Sequence, residues 1–316
     1  MLVRWQKQWF VLVFINLLIS LPAWSEVFET VPLEVNNPGG LQGKLVRRES
    51  SDLVVLLHGC TQTAEELARA TGMLASSHSF SLLLPQQMPE NNAKLCFNWF
   101  SPQDQAGTDG EAQSIISMIE WVKSTQDIKR VYLLGLSAGG AMASNLLSNM
   151  PEYFTAGIIV AGVAYPCAKD LLMAMTCMKS GGEDTADELA VKLGHLRGAQ
   201  LPKLIIISGQ ADQIVNPTNA VKQANIWAKL GGYKHISKQE RPGYSLDSWG
   251  ESVSSSAIFH FSIEGFGHAW PQDSELRSEM NDDPFILSAP IDVMMLLAEL
   301  RGDPYGTNGQ HHFIKQ

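Results

Sequence analysis

Charge is scarce in this chain of 316 residues: Asp, Glu, Lys and Arg make up 17% of it, and the balance is acidic, at −9. Such a sequence lacks the electrostatic footprint of a protein that binds nucleic acid or an anionic membrane surface. Cysteine is also sparse, with 4 in all. None forms a Cys-x-x-Cys pair or stands with histidine at metal-ligand spacing, which argues against a zinc site, and no bound metal is expected. Beyond the N-terminal stretch, no run is long and apolar enough to span a bilayer. Internal repeats, low-complexity segments and an interdomain linker are missing as well. The apolar content of 45% is that of a folded domain, not of a disordered chain.

The first residues follow a different pattern. Arg4 and Lys7 precede an apolar run from Trp9 to Leu21, and Pro22 then leads to small residues at Ala23 and Ser25. This is the layout of a secretory signal and predicts cleavage after Ser25. A membrane anchor needs roughly 20 apolar residues, and Asn16 and Ser20 interrupt this run. Residues 1–25 are therefore expected to be removed and 26–316 to fold as one domain, secreted to the periplasm or the cell exterior, with no stable membrane insertion. In an oxidising compartment Cys60, Cys96, Cys167 and Cys177 can form disulfides, and three pairings are open. The local choice, Cys167 with Cys177, would leave Cys60 with Cys96.

Apolar runs of strand length alternate with helical patterns along the rest. Leu53 to Leu57 reads as a buried strand, followed by a helix opened by a capping box at Thr63 and Glu66. Phe80 to Leu84 reads as a strand stopped by Pro85, and Thr108 with Glu111 as the start of a helix that buries Ile115, Met118, Ile119 and Val122. Further strands are expected at 156–161, 204–207 and 257–263, the last of them the final strand, with helices at 218–229 and 290–300. Residues 162–183 form an insertion bearing Cys and Met. Strand–helix repeats with apolar strands predict an α/β fold, a parallel sheet covered by helices on both faces. Active groups of such folds gather beyond the C-terminal ends of the strands.

One stretch carries most of the chemistry. Val131-Tyr-Leu-Leu-Gly-Leu-Ser-Ala-Gly-Gly140 reads as strand, then Gly-x-Ser-x-Gly, then helix, the context of a nucleophile elbow centred on Ser137. A serine hydroxyl needs a base held by a carboxylate. In chain order Ser, acid, His, the acid falls on Asp212, just past a strand, and the base on His268, on a loop after a strand. His235 and His260 lie in strand-like segments, and His311 and His312 in the polar tail. The oxyanion of a tetrahedral intermediate would be met by the N–H of Ala138 and, from the loop His58-Gly59-Cys60-Thr61, by that of Cys60. Trp99, Phe100 and Trp270 stand near these loops as candidates to line a substrate cleft, although aromatics more often sit in cores.

Four segments, Leu57-His-Gly-Cys-Thr-Gln62, Cys96-Phe-Asn-Trp-Phe100, Gly135-Leu-Ser-Ala-Gly-Gly140 and Gly265-Phe-Gly-His-Ala-Trp-Pro271, together resemble the PHB depolymerase family of secreted esterases. That family includes relatives acting on feruloyl and acetyl groups of plant polysaccharides. The resemblance implies an alpha/beta-hydrolase fold, ester hydrolysis without cofactor, and the roles of nucleophile, acid and base for Ser137, Asp212 and His268. It also implies the oxyanion donor Cys60 and a bridge from Cys60 to Cys96. Ser208 stands where the family often has His, Phe97 where it commonly has Trp, and Gln272-Asp273 where a Gly pair often follows. These departures touch no triad position and bear on substrate preference. Polymer-degrading relatives carry a C-terminal linker and binding domain, for which nothing after Leu300 has the length. The expected substrate is accordingly a small-molecule or oligomeric ester, with hydroxyalkanoate oligomers first and feruloyl or acetyl side groups as the alternative. A non-catalytic polysaccharide- or polyester-binding protein on a hydrolase scaffold would be expected to lose a triad residue. An acyltransferase would use the same triad with an alcohol in place of water.

Overall fold

In the computed structural model the described residues are 28–303, apart from 33, 77–78, 106, 253–254 and 274–282. The signal at 1–25, His311 and His312 lie outside them. The strands in chain order are β1 (Phe28–Thr30), β2 (Gln42–Val46), β3 (Asp52–Leu57), β4 (Ser81–Gln86), β5 (Arg130–Leu136) and β6 (Ala156–Val160). They continue with β7 (Lys203–Gly209), β8 (Lys234–Arg241), β9 (Tyr244–Gly250), β10 (Ser256–Ile263), β11 (Trp270–Gln272) and β12 (Ile286–Ser288). The helices are α1 (Ala64–Ala70), α2 (Met73–Ser76), α3 (Pro102–Gln105), α4 (Gly110–Thr125) and α5 (Ala138–Asn149). After them come α6 (Leu171–Ser180), α7 (Ala186–Lys192), α8 (Thr218–Gly231) and α9 (Val293–Arg301).

Ten strands make one sheet in the order β1-β2-β4-β3-β5-β6-β7-β10-β9-β8. The centre, from β4 through β3, β5, β6 and β7 to β10, is parallel, and antiparallel strands extend both edges. Every residue of β3 is buried. Side chains alternate across a strand, so a continuous apolar run needs cover on both faces. Leu53, Val55 and Leu57 pack with α4, α5 and α8 in one core, whereas Val54 and Leu56 pack with α1, α2 and α9 in the other. A cluster of Asp52, Arg130 and Arg301 ties the start of β3 and β5 to the end of α9, at the sheet end away from the elbow.

Several expectations change. Pro85 does not stop β4, which runs on to Gln86. Pairing with β3 has ended by Leu83, so at Pro85 the strand continues against β2 alone. The capping box at Thr63 and Glu66 forms. At α4, by contrast, Asp109 is the N-cap and Glu111 turns inward. The strand at 257–263 is not the last, since β11 and β12 follow as a short parallel pair. The β8–β9 hairpin, whose outer strand is largely exposed, carried no apolar run to reveal it.

Candidate active site

The turn from β5 into α5 puts Ser137 at φ 57°, ψ −116°, a region that costs a non-glycine residue roughly 1–3 kcal/mol. Surrounding structure imposes that conformation. The Ser137 N–H donates to the Val160 carbonyl, and its own carbonyl accepts from Ala141 N–H as the helix opens. The two flanking glycines are sterically required: a Cβ on Gly139 would lie 2.2 Å from the Leu57 carbonyl oxygen, and one on Gly135 would lie 2.2 Å from that of Gly139.

His268 and Asp212 meet this serine from the other side. Ser137 Oγ lies 2.8 Å from His268 Nε2, and His268 Nδ1 lies 2.7 Å from Asp212 Oδ2. A carboxylate only accepts, so His268 donates from Nδ1 and presents Nε2 as the acceptor for the serine hydroxyl. The other oxygen, Asp212 Oδ1, accepts from the N–H groups of Ile214 and Val215. The two loops are joined by backbone bonds, Gln210 N–H to the Ile263 carbonyl and Ala211 N–H to that of Phe266. Gly209 makes the approach possible, because a Cβ there would sit 2.2 Å from the Phe266 carbonyl oxygen. Ser208, just before it, lies 2.9 Å from the buried His260 Nε2. Burial pushes His260 down to about 4.

The loop after β3 passes directly beside the serine: a Cβ on Gly59 would be 3.5 Å from that of Ser137. Among the described residues the N–H groups of Cys60 and Ala138 have no hydrogen-bond partner. Gly59 N–H donates to Gln62 Oε1 at 3.0 Å, and the Gly59 carbonyl lies 2.8 Å from His58 Nδ1. Gln87 N–H donates to His58 Nε2 at 3.1 Å, so the imidazole proton is on Nδ1 and is donated to Gly59. Burial, in part against the Phe97 ring, pushes His58 down to about 4 and keeps it neutral. Carbonyl and N–H of one trans peptide point in opposite directions. Fixing the Gly59 carbonyl therefore aims the Cys60 N–H. Cys60 is bridged to Cys96, and Cys167 to Cys177.

Trp270 is placed otherwise than expected. At 1% exposure it is buried in the core that also holds Phe266, Ala269 and Ile286, the last its partner across β11 and β12. Trp99 is also a core residue, edge-on to the partly exposed Phe100. From sequence Glu111 reads only as part of a helix start, and Gln87, Asn98 and Gly209 carry no assigned role. Glu111 is 1% exposed, and burial pushes its carboxyl up to about 7. A carboxylate at the expected start of a helix reads as a cap, and only the packed loop opposite reveals its other use.

Residues 43–248 match the Esterase PHB depolymerase family. The chain belongs to that family. A poly(3-hydroxyalkanoate) depolymerase C of Paucimonas lemoignei is 34% identical over 256 residues, a match that covers 75% of this chain and 60% of that protein's length. A feruloyl esterase B of Thermothelomyces thermophilus is 26% identical over 254 residues, covering 74% of this chain and 85% of that one. The acetyl xylan esterase from Aspergillus awamori superposes with a TM-score of 0.68 at 20% identity, over 77% of this chain and 94% of that one. The family's fold is thus present: an alpha/beta hydrolase with Ser137 and the Asp212 and His268 loops beyond the C-terminal ends of β5, β7 and β10.

Proposed function

We propose that this chain is an exported serine esterase that hydrolyses carboxylic esters through an acyl-enzyme. The observation that carries the reading is the hydrogen-bonded sequence Ser137–His268–Asp212 beside the N–H groups of Cys60 and Ala138, which have no partner among the described residues. Ser137 Oγ attacks the ester carbonyl carbon as its proton passes to His268 Nε2, and Cys60 and Ala138 N–H groups receive the oxyanion. Collapse breaks the bond to the alcohol oxygen, which leaves with the proton from His268. Water then attacks the acyl group, gives its proton to His268, and the second collapse returns that proton to Ser137 and frees the acid. Asp212 holds His268 in the tautomer both steps need.

Short hydroxyalkanoate oligomers are the first substrate class, supported by the 34% identity to a poly(3-hydroxyalkanoate) depolymerase. Feruloyl or acetyl esters of polysaccharides are the second, supported by matches that span 85% of a feruloyl esterase. Two disulfides suit an oxidising compartment outside the cytoplasm. The test is hydrolysis of p-nitrophenyl acetate, butyrate and octanoate, 3-hydroxybutyrate trimers and methyl ferulate, beside Ser137→Ala. Activity that disappears in the variant supports the esterase, and the preferred ester chooses between the classes. A folded wild type no faster than Ser137→Ala on all five would remove the reading. Ester formation exceeding hydrolysis when an alcohol is added would make the chain an acyltransferase.

A further inference from the structure

Glu111 is a buried carboxyl group that none of the hydrolytic steps uses. Its Oε2 accepts from the Asn98 N–H at 2.7 Å, and its Oε1 accepts from Asn98 Nδ2 at 2.8 Å and from Gln87 Nε2. Its root is fixed as well. The Glu111 N–H donates to Asp104 Oδ1, and Gly39 packs so closely that a Cβ there would stand 2.5 Å from Glu111 Cα.

From this anchor two routes lead to one atom. Gln87, wholly buried, also donates from Nε2 to the Cys96 carbonyl, and its own N–H reaches His58 Nε2. His58 in turn holds the Gly59 carbonyl, whose peptide carries the Cys60 N–H. The second route is covalent: Glu111 fixes Asn98 and, through Gln87, Cys96, which is bridged to Cys60. Once ionised, above about 7, the carboxylate offers acceptor sites for all three donors at once, where a neutral amide would oppose one of them with hydrogens of its own.

We propose that Glu111 is a positioning residue for the oxyanion site: it holds Gln87 and the 96–98 segment so that the Cys60 N–H points at the reacting carbonyl. This rests on the esterase reading above and adds to it the device that sets the donor's direction. Donor direction matters because a preorganised N–H acts on charge that develops only in the transition state, so misaiming it lowers turnover while leaving ground-state binding alone.

The test compares the full chain with Glu111→Gln, Asn98→Ala and Ser137→Ala. Glu111→Gln keeps the side-chain size but turns an N–H donor towards the donors of Asn98 or Gln87. The expected result is a fall in kcat for p-nitrophenyl butyrate on the order of ten- to a hundredfold, with KM within about twofold. Phosphonylation of Ser137 by a p-nitrophenyl alkylphosphonate, which forms the tetrahedral geometry directly, should slow by the same factor. Asn98→Ala removes one donor and should give the same pattern at smaller size, and it decides the matter if Glu111→Gln does not fold. Unchanged kcat and phosphonylation in a folded variant, or a change confined to KM, overturns the proposal. A wild type no faster than Ser137→Ala overturns the esterase reading itself and this proposal with it, an outcome distinct from a loss of effect at Glu111 alone.

Discussion

The two sides of Ser137 are built in different ways. On one side the Asp212 and His268 loops are joined by main-chain hydrogen bonds between neighbouring parallel strands, with Gly209 permitting contact between backbones. On the other, the Cys60 loop is held by its own His58, by Gln87 and Glu111 from later in the chain, and by the bridge to Cys96. The first side inherits its geometry from the sheet. The second has no ladder to follow, and buried polar groups that satisfy one another replace it.

The largest contrast to probe is chemical. Asp212→Asn should leave the fold intact and lower kcat about 10⁴-fold, because the amide favours the wrong tautomer of His268. Steady-state rates on p-nitrophenyl butyrate check this, and a loss below tenfold would detach Asp212 from the chemistry. The disulfides come next. Replacing Cys60 and Cys96 by Ser should cost about 4 kcal/mol by the chain-entropy estimate and also lower kcat, since the donor loop loosens. The same change at Cys167 and Cys177 should cost about 3 kcal/mol and leave kcat within about twofold. Urea unfolding with parallel assays separates the two. Equal effects on turnover would erase the distinction between the sides.

A smaller effect is expected at Gly209→Ala. Its Cβ would meet the Phe266 carbonyl oxygen at 2.2 Å, so the His268 loop must move. Stability should fall by about 2 kcal/mol or more, with kcat falling too. Native stability and kcat in this variant would show that the backbone contact is not what aligns His268.

Stability should also depend on pH through buried groups on both sides. His58 and His260 are pushed from 6.5 to about 4 by burial, so below 6.5 the unfolded chain takes up protons that the folded chain refuses until about 4. Their contribution is present above 6.5 and lost as pH falls towards 4, by up to about 3 kcal/mol each. Glu111 acts in the opposite sense. Raised from 4.5 to about 7, its contribution is complete below 4.5 and lost as pH rises through 7. Unfolding free energies measured between pH 4 and 8 should therefore fall on the acid side, less steeply in His260→Gln. An acid limb identical in that variant would contradict the assignment of His260.

What the sequence disclosed follows the same division. The elbow, Asp212 and His268 were legible because each directly follows an apolar strand, and the order of strands then brings them together. The parallel sheet was legible for the same reason. Glu111 was not, since its partners Gln87 and Asn98 lie on an irregular segment that periodicity does not describe. Trp270 misled because its neighbours in sequence belong to the site while its ring belongs to the core. Pro85 misled because its effect depends on which neighbour strand persists beside it.

The most direct test of the account is covalent. A fluorophosphonate is allowed to react with the purified chain, which is then digested and the modified residue located by mass spectrometry. A single adduct on Ser137 is expected, formed at a rate that collapses in His268→Ala. An adduct on another residue, or none on a chain that still hydrolyses p-nitrophenyl butyrate, would contradict it.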